Sequence, residues 1–179
     1  MEIEEYQEIY KKYRAKSFRS SALITYFANH YDLTKVNKII DVGCGIGRSL
    51  PVLHKMGLDA IGVEVSEKSI EKARKNTGGT IVMASACDLS MFRDKEFDIY
   101  LSADVFEHLS PEDIDQSISE AMRITSQYIL FRVHPVMDKR KKYHLTIMPL
   151  VEWEQKWLDA GVTLLDRVDP NGFIFKIGE

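Results

Sequence analysis

The sequence predicts an α/β fold built on one mostly parallel sheet that ends in an antiparallel hairpin. Three observations carry this. Short β-branched runs alternate with helical stretches from Lys38 onward, a glycine cluster follows the first such run, and the last two runs are separated only by "DPNG". So short a connection leaves no room for a crossover, which makes the final two strands antiparallel neighbours, whereas strands separated by helices are parallel. A chain of 179 residues can bury an adequate core as one domain. We divide it into a helical N-terminal cover, 1–36, and an α/β core, 37–179.

Residues 3–30 repeat apolar side chains at helical spacing, first Ile3, Tyr6, Tyr10 and Tyr13, then Phe18, Ala22, Leu23, Tyr26 and Phe27, and so predict two leading helices. "KIIDVG" is the first strand. A helix over Gly47–Met56 follows it, stopped by Gly57, and "DAIGVEV" (Asp59–Val65) is the second strand. Ser66 suits the N-cap of "EKSIEKARKN", whose acidic start and basic end match the helix dipole. "TIVMAS" and "FDIYLSAD" (Phe97–Asp104) are strands three and four. Pro111 opens a helix to about Thr125, with Ile114, Ile118, Ala121 and Met122 on one face, and "YILFRVH" is the fifth strand. Beyond the basic run "DKRKKYH", Leu150, Trp153, Trp157 and Leu158 mark a helix closed by Gly161, with its tryptophans read as core. "VTLLDRV" and "GFIFKIG" complete the hairpin.

Composition narrows the function. A formal net charge of -3 disfavours nucleic-acid binding through the whole surface. No apolar run approaches the ~18 residues of a membrane span, and the charged start lacks a signal-peptide core. We therefore expect a cytoplasmic protein without membrane or nucleic-acid partners, whose two cysteines, Cys44 and Cys87, are reduced.

In sheets of this kind ligands bind at the carboxyl ends of the strands, where strand order reverses. "DVGCGIG" lies in the first such loop. Glu64, at the end of the second strand, is placed to accept ribose hydroxyls, and Asp88, after the third, to accept from an exocyclic amine. Together they indicate an adenosine pocket. Dinucleotide folds use G-x-G-x-x-G against a pyrophosphate. Here the spacing is G-x-G-x-G, with Arg48 in the place of the third glycine, and Asp41 precedes the turn. An acid there suits an ammonium and a sulfonium better than a diphosphate, which weighs against a nicotinamide-dependent oxidoreductase.

At this point the sequence resembles the class I S-adenosylmethionine-dependent methyltransferases, from about Lys38 to Glu179. "IIDVGCGIG" is similar to their first motif, "IGVEVS" to the acidic second-strand motif, "SACDL" to the adenine-contacting motif and "FDIYLSADVFEHL" to the fourth-strand motif. The resemblance implies a three-layer Rossmann-like seven-stranded sheet in the order 3-2-1-4-5-7-6, strand 7 antiparallel, with residues 37–179 as the Rossmann-like core. It also implies S-adenosyl-L-methionine as cofactor, S-adenosyl-L-homocysteine as product and a small-molecule acceptor methylated at O or N. Carried over by residue, Gly43 and Gly45 approach the methionine and ribose portions, Asp41 assists at the amino-acid end, and Glu64 holds the ribose. Asp88 takes the adenine amine, the Leu89 backbone a ring nitrogen, and Val65 packs on the adenine. Ala103 and Asp104 lie beside the methionine part.

Methyl transfer needs a general base only where the acceptor holds its proton, and histidine is the usual one. His144, in a region resembling the substrate-facing insertion of small-molecule methyltransferases, is the first candidate and His134 the second. "DVFEH", with Asp104, Glu107 and His108, is similar to a metal-associated element of ubiquinone-biosynthesis O-methyltransferases; we read it here as a structural turn and assign no metal. Lys139, Arg140, Lys141 and Lys142 are read as a solvated loop, although they suit an acceptor phosphate or carboxylate. Tyr13, Arg14 and Arg19 stand where the family's leading segment closes over the cofactor; tyrosines at this spacing equally pack on a sheet edge. The competing reading is a non-catalytic S-adenosylmethionine-binding module that acts as a regulatory or structural partner.

Overall fold

Strands β1 (Lys38–Val42), β2 (Asp59–Glu64), β3 (Ile81–Met83), β4 (Phe97–Ala103), β5 (Thr125–Arg132), β6 (Val162–Val168) and β7 (Gly172–Ile177) form one sheet in the order β3-β2-β1-β4-β5-β7-β6. The structure is a computed structural model and describes residues 20–134, 144–168 and 170–178. Pairing is parallel from β3 through β5, and β7 runs antiparallel to both β5 and β6, as the short terminal connection requires. Strand order reverses between β1 and β4, which sets the carboxyl ends of these two strands side by side.

Side-chain alternation sends successive strand residues to opposite faces. Ile40, Tyr100, Ile129, Phe131 and Phe175 pack one face against α4 (Pro111–Ile124) and α5 (Leu150–Asp159). Ile39, Ile99, Leu101, Leu130 and Ile174 pack the other against α1 (Ser21–His30), α2 (Leu50–Lys55) and α3 (Glu67–Thr77). The expected cover helix is therefore part of a sandwich layer, with Leu23, Ile24 and Phe27 buried in it. The first leading helix, with Tyr13, Arg14 and Arg19, lies outside the described residues, as does the basic run Lys139–Lys142.

Local chemistry fixes the helix ends. Ser66 caps α3 by accepting from the Ser69 amide, and Gly78, at φ +60°, ends it in the left-handed conformation. Ser110 caps α4, with Pro at the first position. The helix predicted from Gly47 begins instead at Leu50, because three glycines at positive φ unwind the chain before a helix can start. Among the described residues, no helix is long and apolar enough to cross a membrane.

Trp153 and Trp157 are completely buried against Phe106, Phe131 and Phe175, in agreement with the core role read from their spacing. Trp157→Ala is expected to lower the unfolding free energy by ~3–5 kcal/mol through lost contact and the cavity left behind. Trp157→Phe should cost clearly less, and urea denaturation of both variants measures the difference.

Candidate functional site

The turn after β1 is shaped by the neighbours it must avoid and the amides it must satisfy. Gly43 lies at φ +78°, and a Cβ there would sit 2.2 Å from a Val105 methyl carbon, so only glycine fits. Gly45, at φ +57°, has the opposite surroundings: a Cβ would meet no atom within 4 Å. Its backbone is exposed to a cavity of about 350 Å³ lined by Ser20, Asp41, Gly43, Gly45, Arg48, Ser49, Ala103 and Asp104, among others. The turn is tied to the tip of β2 by Glu64. Its Oε2 accepts from the Gly45 amide at 2.9 Å, and its Oε1 accepts from the Val65 and Ser66 amides at 2.9 Å each.

Two acids border the cavity in different states. Asp41 is 4% exposed and accepts from the Ser49 hydroxyl. Burial pushes its carboxyl up to about 6; the Ser49 hydrogen bond opposes this and the nearby Glu64 charge adds to it. Asp104 sits at φ +56°, a left-handed conformation that aspartate adopts more readily than most residues. It is held there by its own amide, which donates to the Arg132 carbonyl at 2.9 Å, and by the Arg132 guanidinium, which donates to its carboxylate.

The loop after β3 departs from the sequence reading. Leu89 is fully buried, and its amide donates to Glu120 Oε2 at 2.7 Å, while Arg123 holds Glu120 and the Leu89 carbonyl. The amide expected to meet an adenine nitrogen is thus already engaged. Asp88 is exposed, and its Oδ1 accepts from the amide and hydroxyl of Ser90. Neither residue lines the cavity. Val65, by contrast, is 65% exposed at the tip of β2, an apolar side chain open to a flat ligand.

Beside Asp104 the short 3-10 turn Phe106–His108 gathers a carboxylate and three imidazoles. Glu107 is 1% exposed; its Oε1 accepts from the His134 amide at 3.1 Å, and its carbonyl accepts from the Thr146 amide at 3.2 Å. Thr146 also donates through its hydroxyl to the Leu109 carbonyl at 2.8 Å. These bonds hold the segment after β5 and the segment before α5 on the turn. As a result the His144 ring centroid lies 4.9 Å from that of His108 and 5.7 Å from that of His134. Burial raises the Glu107 carboxyl, Asp104 adds to this, and the His134 amide and His108 oppose it. Glu107, His108 and His144 each bring a ligating atom within 4.8 Å of the others. Sequence reading had treated "FEH" as a plain turn, and its meeting with His144 was not visible in it.

Comparison with known proteins gives this geometry a family. Residues 40–128 match the family described as "Methyltransferase domain". The chain belongs to the class I S-adenosylmethionine-dependent methyltransferases. It is 27% identical over 127 residues to a ubiquinone biosynthesis O-methyltransferase of Pelagibacter ubique (strain HTCC1062), covering 69% of this chain and 52% of that protein. The figures for the protein of the same name from Brucella ovis are 27% over 135 residues, 73% and 53%. The chain thus spans about half the length of these curated relatives. Among solved structures, a protein from Pyrococcus horikoshii OT3 superposes with a TM-score of 0.72 at 19% identity, covering 93% of this chain and 91% of the other. A SAM-dependent methyltransferase from Archaeoglobus fulgidus gives 0.70 at 17%, covering 96% and 94%.

The methyltransferase fold accounts for the strand order and for the position of the cavity at its reversal. The residues present fit the family's cofactor: the open space at Gly45 admits a ligand against bare backbone, and two lining carboxylates complement positive charge. Of the residues expected to hold it, Asp41, Gly43, Gly45, Ala103 and Asp104 line one cavity, and Glu64 fixes its wall. The raised Asp41 carboxyl has a measurable consequence. Between about pH 4 and 6 the folded protein retains a proton that the unfolded chain has lost, so this group makes stability fall as pH rises. The unfolding free energy of Asp41→Asn relative to the unsubstituted protein should therefore increase by about 2–3 kcal/mol from pH 4 to pH 7.5, as measured by denaturant titration at both values.

Proposed function

We propose that the chain transfers the methyl group of S-adenosylmethionine to a hydroxyl oxygen of a small molecule in the cytoplasm. Support comes from one juxtaposition: a glycine-walled cavity at the reversal of strand order adjoins, through Asp104–His108, a cluster of three imidazoles and a buried carboxylate. When bound, the cofactor supplies a methyl carbon already activated by its sulfonium. The protein's task is alignment and, for a hydroxyl acceptor, removal of a proton.

In this reading Glu64 receives the ribose. A carboxylate has about four acceptor positions, and three are taken by amides. The remaining one, on Oε2, accepts one hydroxyl, and a second hydroxyl competes with Gly45. Val65 packs on the adenine face, and Asp88 faces the exocyclic amine with its second oxygen, Oδ2. Asp41 receives the ammonium end, and Asp104, held by Arg132, lines the methionine portion. His144 takes the acceptor proton, with His134 as the second candidate. Preference for oxygen over nitrogen follows from the O-methyltransferase names of the curated relatives and from the imidazole cluster, which a neutral amine acceptor would not need.

Incubation with methyl-labelled S-adenosylmethionine and a panel of phenols and catechols should give a product heavier by one methyl group. Cofactor binding with no transfer to any acceptor, or label on nitrogen alone, would refute the proposal. Glu64→Gln should weaken S-adenosylhomocysteine binding by ~1.5–3 kcal/mol, the range for hydrogen bonds to a charged group, as read by calorimetry. His144→Ala should reduce turnover by about 10²-fold or more while cofactor affinity changes by less than about twofold. Loss confined to His134→Ala would move the base to that residue.

A further inference from the structure

The loop after β3 directs its own donors inward. Four successive amides donate within the protein: Cys87 to the Ser85 hydroxyl oxygen at 3.4 Å, Asp88 to the Ser85 carbonyl at 3.1 Å, Leu89 to Glu120 Oε2 at 2.7 Å and Ser90 to Asp88 Oδ1 at 3.3 Å. The Leu89 bond is the shortest of these, and both of its ends are clamped. On one side, Leu89 is fully buried, and its carbonyl accepts from the Phe92 amide at 2.9 Å and from Arg123 Nη2 at 3.0 Å. On the other, Glu120 is 8% exposed, and the Arg123 guanidinium donates to its Oε1 at 2.8 Å and to its Oε2 at 3.0 Å. Arg123 is itself held by the Phe92 carbonyl at 2.8 Å and by Asp94 at 2.9 Å. A hydrogen bond from an amide to an ionised carboxylate is stronger than one to a neutral ring nitrogen, and withdrawing the amide would leave Glu120 Oε2 short of a partner in a site shielded from water. A bound nucleoside therefore offers the Leu89 amide a weaker acceptor than the one it has.

We propose that the Leu89 amide stays with Glu120 when the cofactor binds, so that this chain recognises adenine without a hydrogen bond to N1, the ring nitrogen beside the amine on the base's pairing edge. Glu120 is then the positioning residue that sets this tolerance. This rests on the cofactor assignment and departs from what the adenine-contacting motif implies: a nucleoside altered at N1 is accepted.

Calorimetry on the full, unsubstituted chain compares S-adenosylhomocysteine with its 1-deaza analogue, in which a C–H group replaces N1 and the amine is kept. The two should bind within about fivefold of each other, because no donor loses its acceptor; a larger loss for the analogue overturns the inference, since it would show a donor left unpaired at N1. Glu120→Ala frees the Leu89 amide, so this variant should come to prefer S-adenosylhomocysteine over the analogue by more than about fivefold, a difference that general loosening of the loop would not produce. A folded Glu120→Ala protein that ranks the two nucleosides as the unsubstituted chain does also overturns it; if the variant fails to fold, the unsubstituted comparison decides. An unsubstituted protein that bound neither nucleoside would instead refute the cofactor assignment, and the role of Glu120 with it.

Discussion

The carboxylate of Glu64 is the constraint on which the site depends. It sits at the carboxyl end of a buried strand and accepts three amides, one from the glycine turn after β1 and two from its own following residues. Hydrogen bonds to an ionised acceptor are stronger than neutral ones, and each of these satisfies an amide in a segment with no other regular structure. The turn can therefore be open, glycine-rich and conformationally defined at once. Without that anchor, three residues at positive φ would leave the chain after Val42 with many accessible paths. With it, the Gly45 backbone is presented to the cavity with no side chain between.

The same arrangement sets the electrostatics. Asp41 is buried one strand away from Glu64 and has a single hydroxyl as its side-chain partner, so part of the folding free energy is held as an uncompensated negative site. A cationic ligand relieves it. Asp104, in a left-handed backbone, shares its carboxylate with the Arg132 guanidinium, so that it lines the cavity and also fixes the turn. Two acids at the ends of adjacent strands thus do different work: one makes no ion pair among the described residues, and the other also turns the chain toward the 3-10 segment.

How far the sequence could be read follows from the range of the interactions. The strands, the terminal hairpin and the buried tryptophans were legible because alternation, connection length and helical spacing are local, whereas the strand order followed only from the motif resemblance. The glycine turn was legible for the same reason, since Asp41, Gly43 and Gly45 lie within five residues at the end of β1 and the start of its loop. The Leu89 amide was misjudged because its partner, Glu120, is 31 residues away on α4, and no local pattern marks a carboxylate as a partner for a distant loop. Ser49 was overlooked although it is only eight residues from Asp41, because the glycine turn folds the chain back and sequence spacing alone does not show that reversal. The helix start was placed too early for the same reason: glycine count signalled a turn, but left-handed backbone at Gly43, Gly45 and Gly47 delays the helix to Leu50.

The two halves of the site differ in the same way, and this bears on specificity. The cofactor half is assembled from strand ends that the sheet register fixes. The imidazole cluster, to which we assign the acceptor, depends on Glu107 holding His134 and Thr146, residues from two separate segments, through one carboxylate oxygen and one carbonyl. The bonds that fix the cavity, the register of β1, β2 and β4 and the Glu64 anchor, are separate from those that Glu107 makes to His134 and Thr146. On the proposed reading, changes around the imidazoles would alter the acceptor and leave the cofactor cavity in place, because the bonds that define the cavity do not pass through the residues of the cluster.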